Sequence, residues 1–156
     1  MNQTRRTFLK SASFIGVIFA ATATGLLRSG EVFAAVWNKV AFTSTNLADA
    51  MQNTNYSGGV ESGDILLNVP DIAENGAVVP VEVTSNIPGT TGIAIFVENN
   101  QNPLIADFEF SNDAEPYIST RIKMNKTSQV KVAVRAGDKV FTLSKEVKVT
   151  IGGCGG

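Results

Sequence analysis

The chain has 156 residues with 14 glycines, one cysteine and no histidine, at a formal net charge of −1. Lacking histidine, it has neither the usual general base nor the commonest metal ligand, and no Ser–His or Cys–His nucleophile pair can form. A lone cysteine rules out an internal disulfide, and an acidic balance with no basic aromatic stripe argues against nucleic-acid binding.

The N-terminus comes first because it is a processing signal rather than part of a fold. Arg5-Arg6 is followed by Phe8-Leu9-Lys10 and an apolar run from Phe14 to Leu27. Twin arginines before such a run are the pattern of a bacterial Tat export signal. The run spans about 14 residues, diluted by Gly16, Thr22, Thr24 and Gly25, and falls short of the roughly 20 needed to cross a bilayer. Val32-Phe33-Ala34 is a small-residue peptidase site, so cleavage is expected after Ala34, with Ala35 next best. The product would be a periplasmic protein exported folded, with no membrane attachment after cleavage. Removing residues 1–34 takes four bases and one acid from totals of 13 and 14, leaving a net charge of about −4. The charge is uneven: 11 acids and only Lys39 lie between Ala35 and Thr120, whereas eight bases and two acids lie between Arg121 and Thr150. The acidic part reads as solvated surface. The basic run leads to the C-terminus and could help recruit an anionic substrate or an acidic partner.

Residues 43–56 carry the one helical pattern, with Leu47, Ala50 and Met51 on one face and Ser44 or Thr45 as cap. Trp37 and Phe42 just before it are expected to pack into a core. Beyond Asp64 the sequence alternates with the period of strands. Residues 64–69 form a short apolar run closed by Pro70. Then Val79, Val81 and Val83 share one face, as do Ile93, Ile95 and Val97, with Phe96 opposite. Leu104, Ala106, Phe108 and Phe110 line up, followed by Ile118, Thr120, Ile122 and Met124, then Val130, Val132 and Val134. Phe141, Leu143, Val147, Val149 and Ile151 share a parity that Lys145 interrupts. Turn residues separate the runs at Asn75-Gly76, Pro88-Gly89, residues 99–103 and Gly137-Asp138, the last reading as a tight hairpin. About seven strands imply an all-β, immunoglobulin-like antiparallel β-sandwich with a short N-terminal helix. The expected organisation is a cleaved signal at 1–34, a helical segment at 35–62, a sandwich at 63–151 and a carrier arm at 152–156.

That arm is Gly152-Gly153-Cys154-Gly155-Gly156. Glycine reaches backbone conformations closed to other residues, so the segment is expected to be flexible. From Ile151 to Cys154 it can extend by about 10 Å. The thiol then rides on a slender tether able to enter a narrow channel. No fixed cation or helix end is expected beside it, and the terminal carboxylate opposes ionisation, so the ordinary thiol pKa of about 8.5 leaves only a few per cent thiolate at neutral pH. Activation must then come from whatever protein the arm enters. Cys154 is thus read as the site of covalent substrate attachment and not as the nucleophile of an enzyme, and no cofactor is expected. Metal binding lacks partner ligands, and prenylation needs a cysteine four residues from the end.

Following Val147-Lys148-Val149-Thr150-Ile151 and paired with the Arg5-Arg6 signal, the glycine-bracketed Cys154 resembles the SoxY family, the sulfur-carrier subunits of the periplasmic Sox thiosulfate-oxidation system. The resemblance implies a heterodimer with SoxZ, a leaderless sandwich protein exported with it. It further implies that SoxAX joins thiosulfate oxidatively to Cys154, that SoxB releases sulfate to leave a persulfide, and that SoxCD, where present, oxidises that sulfur. Of the sites, only Cys154 carries over, with Gly152, Gly153, Gly155 and Gly156 as its arm.

Two other readings remain. One is a structural protein dimerised through an intermolecular Cys154 disulfide, and the other a thiol peroxidase or transferase that turns over alone. Phe96, Tyr117 and Ile105 are the apolar candidates for a partner surface, with core packing the default for each.

Overall fold

The structure, a computed structural model, describes residues 37–111 and 114–151. From Asn38 onward these form one compact unit. Two short helices open it, α1 (Lys39–Thr43) and α2 (Leu47–Asn53), followed by β1 (Val60–Glu61), β2 (Ile65–Asn68), β3 (Ile72–Ala73), β4 (Val79–Ser85), β5 (Thr90–Val97), β6 (Leu104–Glu109), β7 (Tyr117–Ile122), β8 (Ser128–Ala136) and β9 (Lys139–Val149).

The strands form two sheets. The larger runs β1-β9-β8-β5-β6, with β3 also on β9, and the smaller runs β2-β4-β7. All the long pairings are antiparallel, as the alternation implies. The two-residue strands β1 and β3 add parallel pairs on the outer edge of β9, Val60 opposite Phe141 and Ile72 opposite Lys148. Strands this short carry no alternation to read, and only the partner's position defines them. Gly137 and Asp138 make the hairpin between β8 and β9, with Ala136 opposite Lys139 and Gly137 at φ 59°. A positive φ at the first turn position gives the twist that a two-residue hairpin needs.

The inner faces meet in one core. Ile65, Val79, Val81, Val83, Ile118 and Ile122 come from the small sheet, and Ile93, Ile95, Val97, Val130, Val132, Val134 and Val147 from the large one. These are the faces the period-two reading selects. Two residues on this parity need a separate account. Ile105 packs against the core while Leu104 belongs to the opposite side, because the β5–β6 register shifts between Ile95 and Phe96. Such a bulge flips the parity that alternation would otherwise carry through the strand. Lys145 takes a core-side position on β9, but its Nζ donates to Val69 O at 3.0 Å and pairs with Asp71 at 3.0 Å. Its stem covers apolar surface and its tip reaches polar groups at the rim.

The helices cover the outer face of the large sheet. Ala41, Ala50 and Tyr56 pack against Ala94, Phe96, Leu104 and Ala133, with Phe42, Leu47 and Met51 at the border. β5 is therefore buried on both faces, which explains why Phe96 lies opposite its valine and isoleucine neighbours without reaching water. The segment breaks into two helices because Asn38 and Asn46 each start one: their side chains accept from Ala41 N at 3.1 Å and Asp49 N at 2.8 Å. The cap of α2 is thus Asn46, and not Ser44 or Thr45, whose place at the end of α1 leaves Ser44 Oγ bonded back to Val40 O. Asparagine ranks among the best N-caps. Trp37, 63 % exposed, is not a core residue.

Candidate functional site

Arg5, Arg6, Ala34, Cys154 and the glycines Gly152, Gly153, Gly155 and Gly156 lie outside the described residues. The structure instead defines the place from which the cysteine-bearing segment departs. β9 ends at Val149, yet the backbone stays engaged through Ile151. Lys148 N–H donates to Asp71 O at 3.0 Å, Thr150 N–H to Ala73 O at 3.1 Å, and Gly76 N–H to Ile151 O at 2.8 Å. Two threonine hydroxyls add to this. Thr127 Oγ1 accepts from Val149 N at 3.0 Å, and Thr150 Oγ1 donates to Glu74 O at 2.9 Å. Asn75 shapes the turn that supplies Gly76, its side chain accepting from Ala77 N at 2.8 Å, a local bond for which asparagine is favoured. Gly76 O in turn accepts from Met124 N at 2.7 Å. The 74–78 loop and the 123–127 loop therefore both grip the last described turn of chain, three residues before Cys154.

The surroundings of this base are mixed in charge. Lys123, Lys126 and Lys148 are exposed, as is Glu74. Of the basic run, Arg135 is paired with Glu109 and Lys145 with Asp71, so the first three lysines are the part that lies beside the departing chain. A hollow of about 500 Å³, lined by Ser57, Val60, Lys139 and Phe141 among others, sits at the opposite end of β9. Eleven residues separate Val140 from Ile151, about 35 Å of strand. A tether reaching about 10 Å from Ile151 cannot bring Cys154 of the same chain into it.

One cluster escaped the sequence reading. Under the helices, Tyr56 Oη donates to Asp107 Oδ1 at 3.0 Å, Arg135 lies 5.0 Å over the Tyr56 ring and pairs with Glu109, and Phe96 meets the ring edge-on at 6.5 Å. Burial, and then the Asp107 charge, hold the Tyr56 hydroxyl far above its usual range. Burial likewise raises Asp107 against the lowering effect of the Tyr56 bond, and the Glu109 bond raises Arg135. Gly92 is needed here, since a Cβ on it would meet Tyr56 Oη at 2.5 Å. Every polar group in the cluster is spent on another member, so it fastens the helical layer and offers no open position to a substrate. No periodicity links residues 56, 92, 107 and 135, which is why the sequence gave no sign of them. Among the described residues no group of three or more potential metal ligands occurs, and no helix is long and apolar enough to cross a membrane.

Compared with known proteins, residues 51–154 match the family model described as sulfur oxidation protein SoxY, a span that includes Cys154. Among solved structures, the sulfur carrier protein SoxY from Chlorobium limicola f thiosulfatophilum is 41% identical at a TM-score of 0.59, covering 66% of this chain and 96% of that one. The human F-spondin reeler domain is 12% identical at a TM-score of 0.40, covering 58% of this chain and 92% of that one; at that level it carries no argument. No curated protein matches.

Proposed function

The chain belongs to the SoxY family of sulfur oxidation proteins, and from that premise we propose that it carries sulfur covalently on Cys154 and presents it to partner enzymes. The family supports a carrier role in sulfur oxidation within a multi-protein system. The finer reading rests on one observation: the chain is held firmly up to Ile151, and then passes into two glycines, a cysteine and two glycines. A rigid base followed by residues without side-chain bulk suits a thiol that must enter other proteins.

The chemistry proceeds by steps that the thiol does not catalyse. Cys154 thiolate and thiosulfate give up an electron pair to the haem protein SoxAX as their sulfurs join, forming a cysteine S-thiosulfonate. Water then attacks the terminal sulfonate sulfur in SoxB, releasing sulfate and leaving the persulfide. Where SoxCD is present, it takes up the electrons as water supplies the oxygens and releases its protons, converting the outer sulfur to a sulfonate, and a second hydrolysis releases sulfate and restores the thiol. Each adduct stays on one sulfur atom, so the carrier needs no cofactor of its own. The exposed Lys123, Lys126 and Lys148 beside the base support recruitment of anionic sulfur species or of acidic partner surfaces. Export by the Arg5-Arg6 signal with cleavage after Ala34, and pairing with SoxZ, complete the proposal.

The test is intact-mass measurement of the protein from cells grown on thiosulfate, where a sulfur-derived mass gain localised to Cys154 is expected. A protein without any such adduct overturns the reading. In reconstituted thiosulfate oxidation, Cys154→Ser should lower turnover by at least about 100-fold, since an alkoxide cannot replace the thiolate. Full activity in that variant would instead exclude the carrier reading.

A further inference from the structure

We propose that the 74–76 loop and Thr127 form a collar that fixes the base of the carrier segment at Ile151, so that the number of residues beyond the collar sets how far the thiol reaches. This deepens the carrier reading and rests on it. Beyond the end of β9 a chain has no neighbouring strand to hold it, and fraying of the last residues is the ordinary outcome at such an end. Here five bonds oppose fraying between Lys148 and Ile151: three from backbone of residues 71–76, one from the Thr150 hydroxyl to Glu74 O, and one from Val149 N to the Thr127 hydroxyl. Two of them, Lys148 N to Asp71 O and Thr150 N to Ala73 O, belong to the parallel β3–β9 ladder; the other three extend the hold past its end, and Thr127 adds its bond from the opposite edge of the strand. Gly76 ties the two sides together, donating to Ile151 O and accepting from Met124 N.

The consequence is metrical. With the collar closed, three steps of chain separate Ile151 from Cys154, about 10 Å. Released back to Val147, the tether would have seven steps and about 14 Å more reach. For a flexible tether the effective concentration of its tip falls as roughly the −3/2 power of length, so the thiol would present itself about 3- to 4-fold more dilutely to a docked partner. A closed collar therefore keeps the tip concentrated near the surface on which a partner docks. Thr127 and Thr150 act here as positioning residues, since neither is placed against the reacting sulfur.

The experiment uses the mature full chain with one nitroxide on Cys154 and a second on Ser119→Cys, an exposed mid-strand position on β7. Double electron–electron resonance then gives the distance distribution. Thr127→Val with Thr150→Val removes both hydroxyls at nearly constant shape and should broaden that distribution. Three backbone bonds of the collar remain in that variant, so the broadening should fall between the parent and a protein with four glycines inserted after Ile151, a change that leaves the collar alone. Thr150→Ser with native Thr127, which keeps every hydroxyl, should stay as narrow as the parent. Alkylation of Cys154 by iodoacetamide should change by less than about 2-fold, because the thiol is no more accessible to a small reagent. Partner-catalysed loading should fall in kcat at unchanged KM, by less than the about 3- to 4-fold expected for full release. A double variant that unfolds at the parent's temperature yet keeps the parent's narrow distribution overturns the collar. So does an insertion variant no broader than the parent. The carrier reading fails separately, through full thiosulfate oxidation by Cys154→Ser, and the distance measurement is independent of that outcome.

Discussion

Phe96 shows how one residue changes meaning once its neighbours are known. Its position opposite Ile95 and Val97 leaves it either packed in a core or open to a partner, and the helical layer that covers it completely makes it core. Phe96→Ala should therefore cost about 3–5 kcal/mol in denaturant unfolding, the penalty of a large cavity. A loss of partner affinity at unchanged stability would contradict that burial. Ile105 is half-buried, turned toward the core by the bulge, and of the three candidates for a partner surface Tyr117, 48 % exposed, is the one that faces water. Asp107 carries a pH signature. Burial lifts its folded-state pKa above the ordinary carboxylate value of 3.8 despite the Tyr56 hydrogen bond. With a raised pKa, its contribution to stability is fully present below that unfolded value and is lost as pH rises through the native one. Asp107→Asn, which still accepts from Tyr56, should lose less stability than the parent between about pH 4 and pH 7. Denaturant midpoints measured across that range check it; parallel profiles for the two proteins would show that Asp107 does not titrate in this way.

At the scale of elements, β9 connects fold to function. Its antiparallel partner β8 sets its register, while the short strands β1 and β3 close its other edge. Lys145 breaks its apolar parity for a reason visible only in three dimensions: the ammonium satisfies the Val69 carbonyl and meets Asp71 at the crossing from β2 to β3. Lys145→Met keeps the stem and loses the tip, and should destabilise by about 1 kcal/mol, read from the shift in thermal midpoint. Most of that loss should survive raised salt, because the Val69 carbonyl is left unpaired whatever the ionic strength; a loss that vanishes in salt would assign the effect to Asp71 alone. The strand alternation that located β4, β5, β7, β8 and β9 was legible because each has one face against the opposite sheet. β1 and β3 were not, since two residues carry no period, and the division of the helical segment turned on asparagine caps that a search for serine or threonine passes over.

Across the whole molecule, the uneven charge of the sequence becomes a local feature. The lysines at 123, 126 and 148 lie on segments bonded to the base of the cysteine-bearing chain, while Arg135 is consumed by Glu109 at the helical layer. Lys126→Glu with Lys148→Glu should slow enzymatic loading of Cys154 several-fold at low ionic strength, and the deficit should shrink as salt is added. Equal slowing at every salt concentration would point to damage at the collar, and no slowing would remove the lysines from recruitment.

The sequence alone determined the sandwich class, the faces of its long strands and the presence of a single thiol without any imidazole, because all three are written in local quantities: residue period, turn composition and residue type. Only the tertiary structure decided that Phe96 is interior, that Tyr56, Gly92, Asp107, Glu109 and Arg135 meet under the helices, and that residues 148–151 are held from two loops. Those outcomes depend on which distant segments lie against one another, and a chain's periodicity records which side of a strand is apolar but not what covers it.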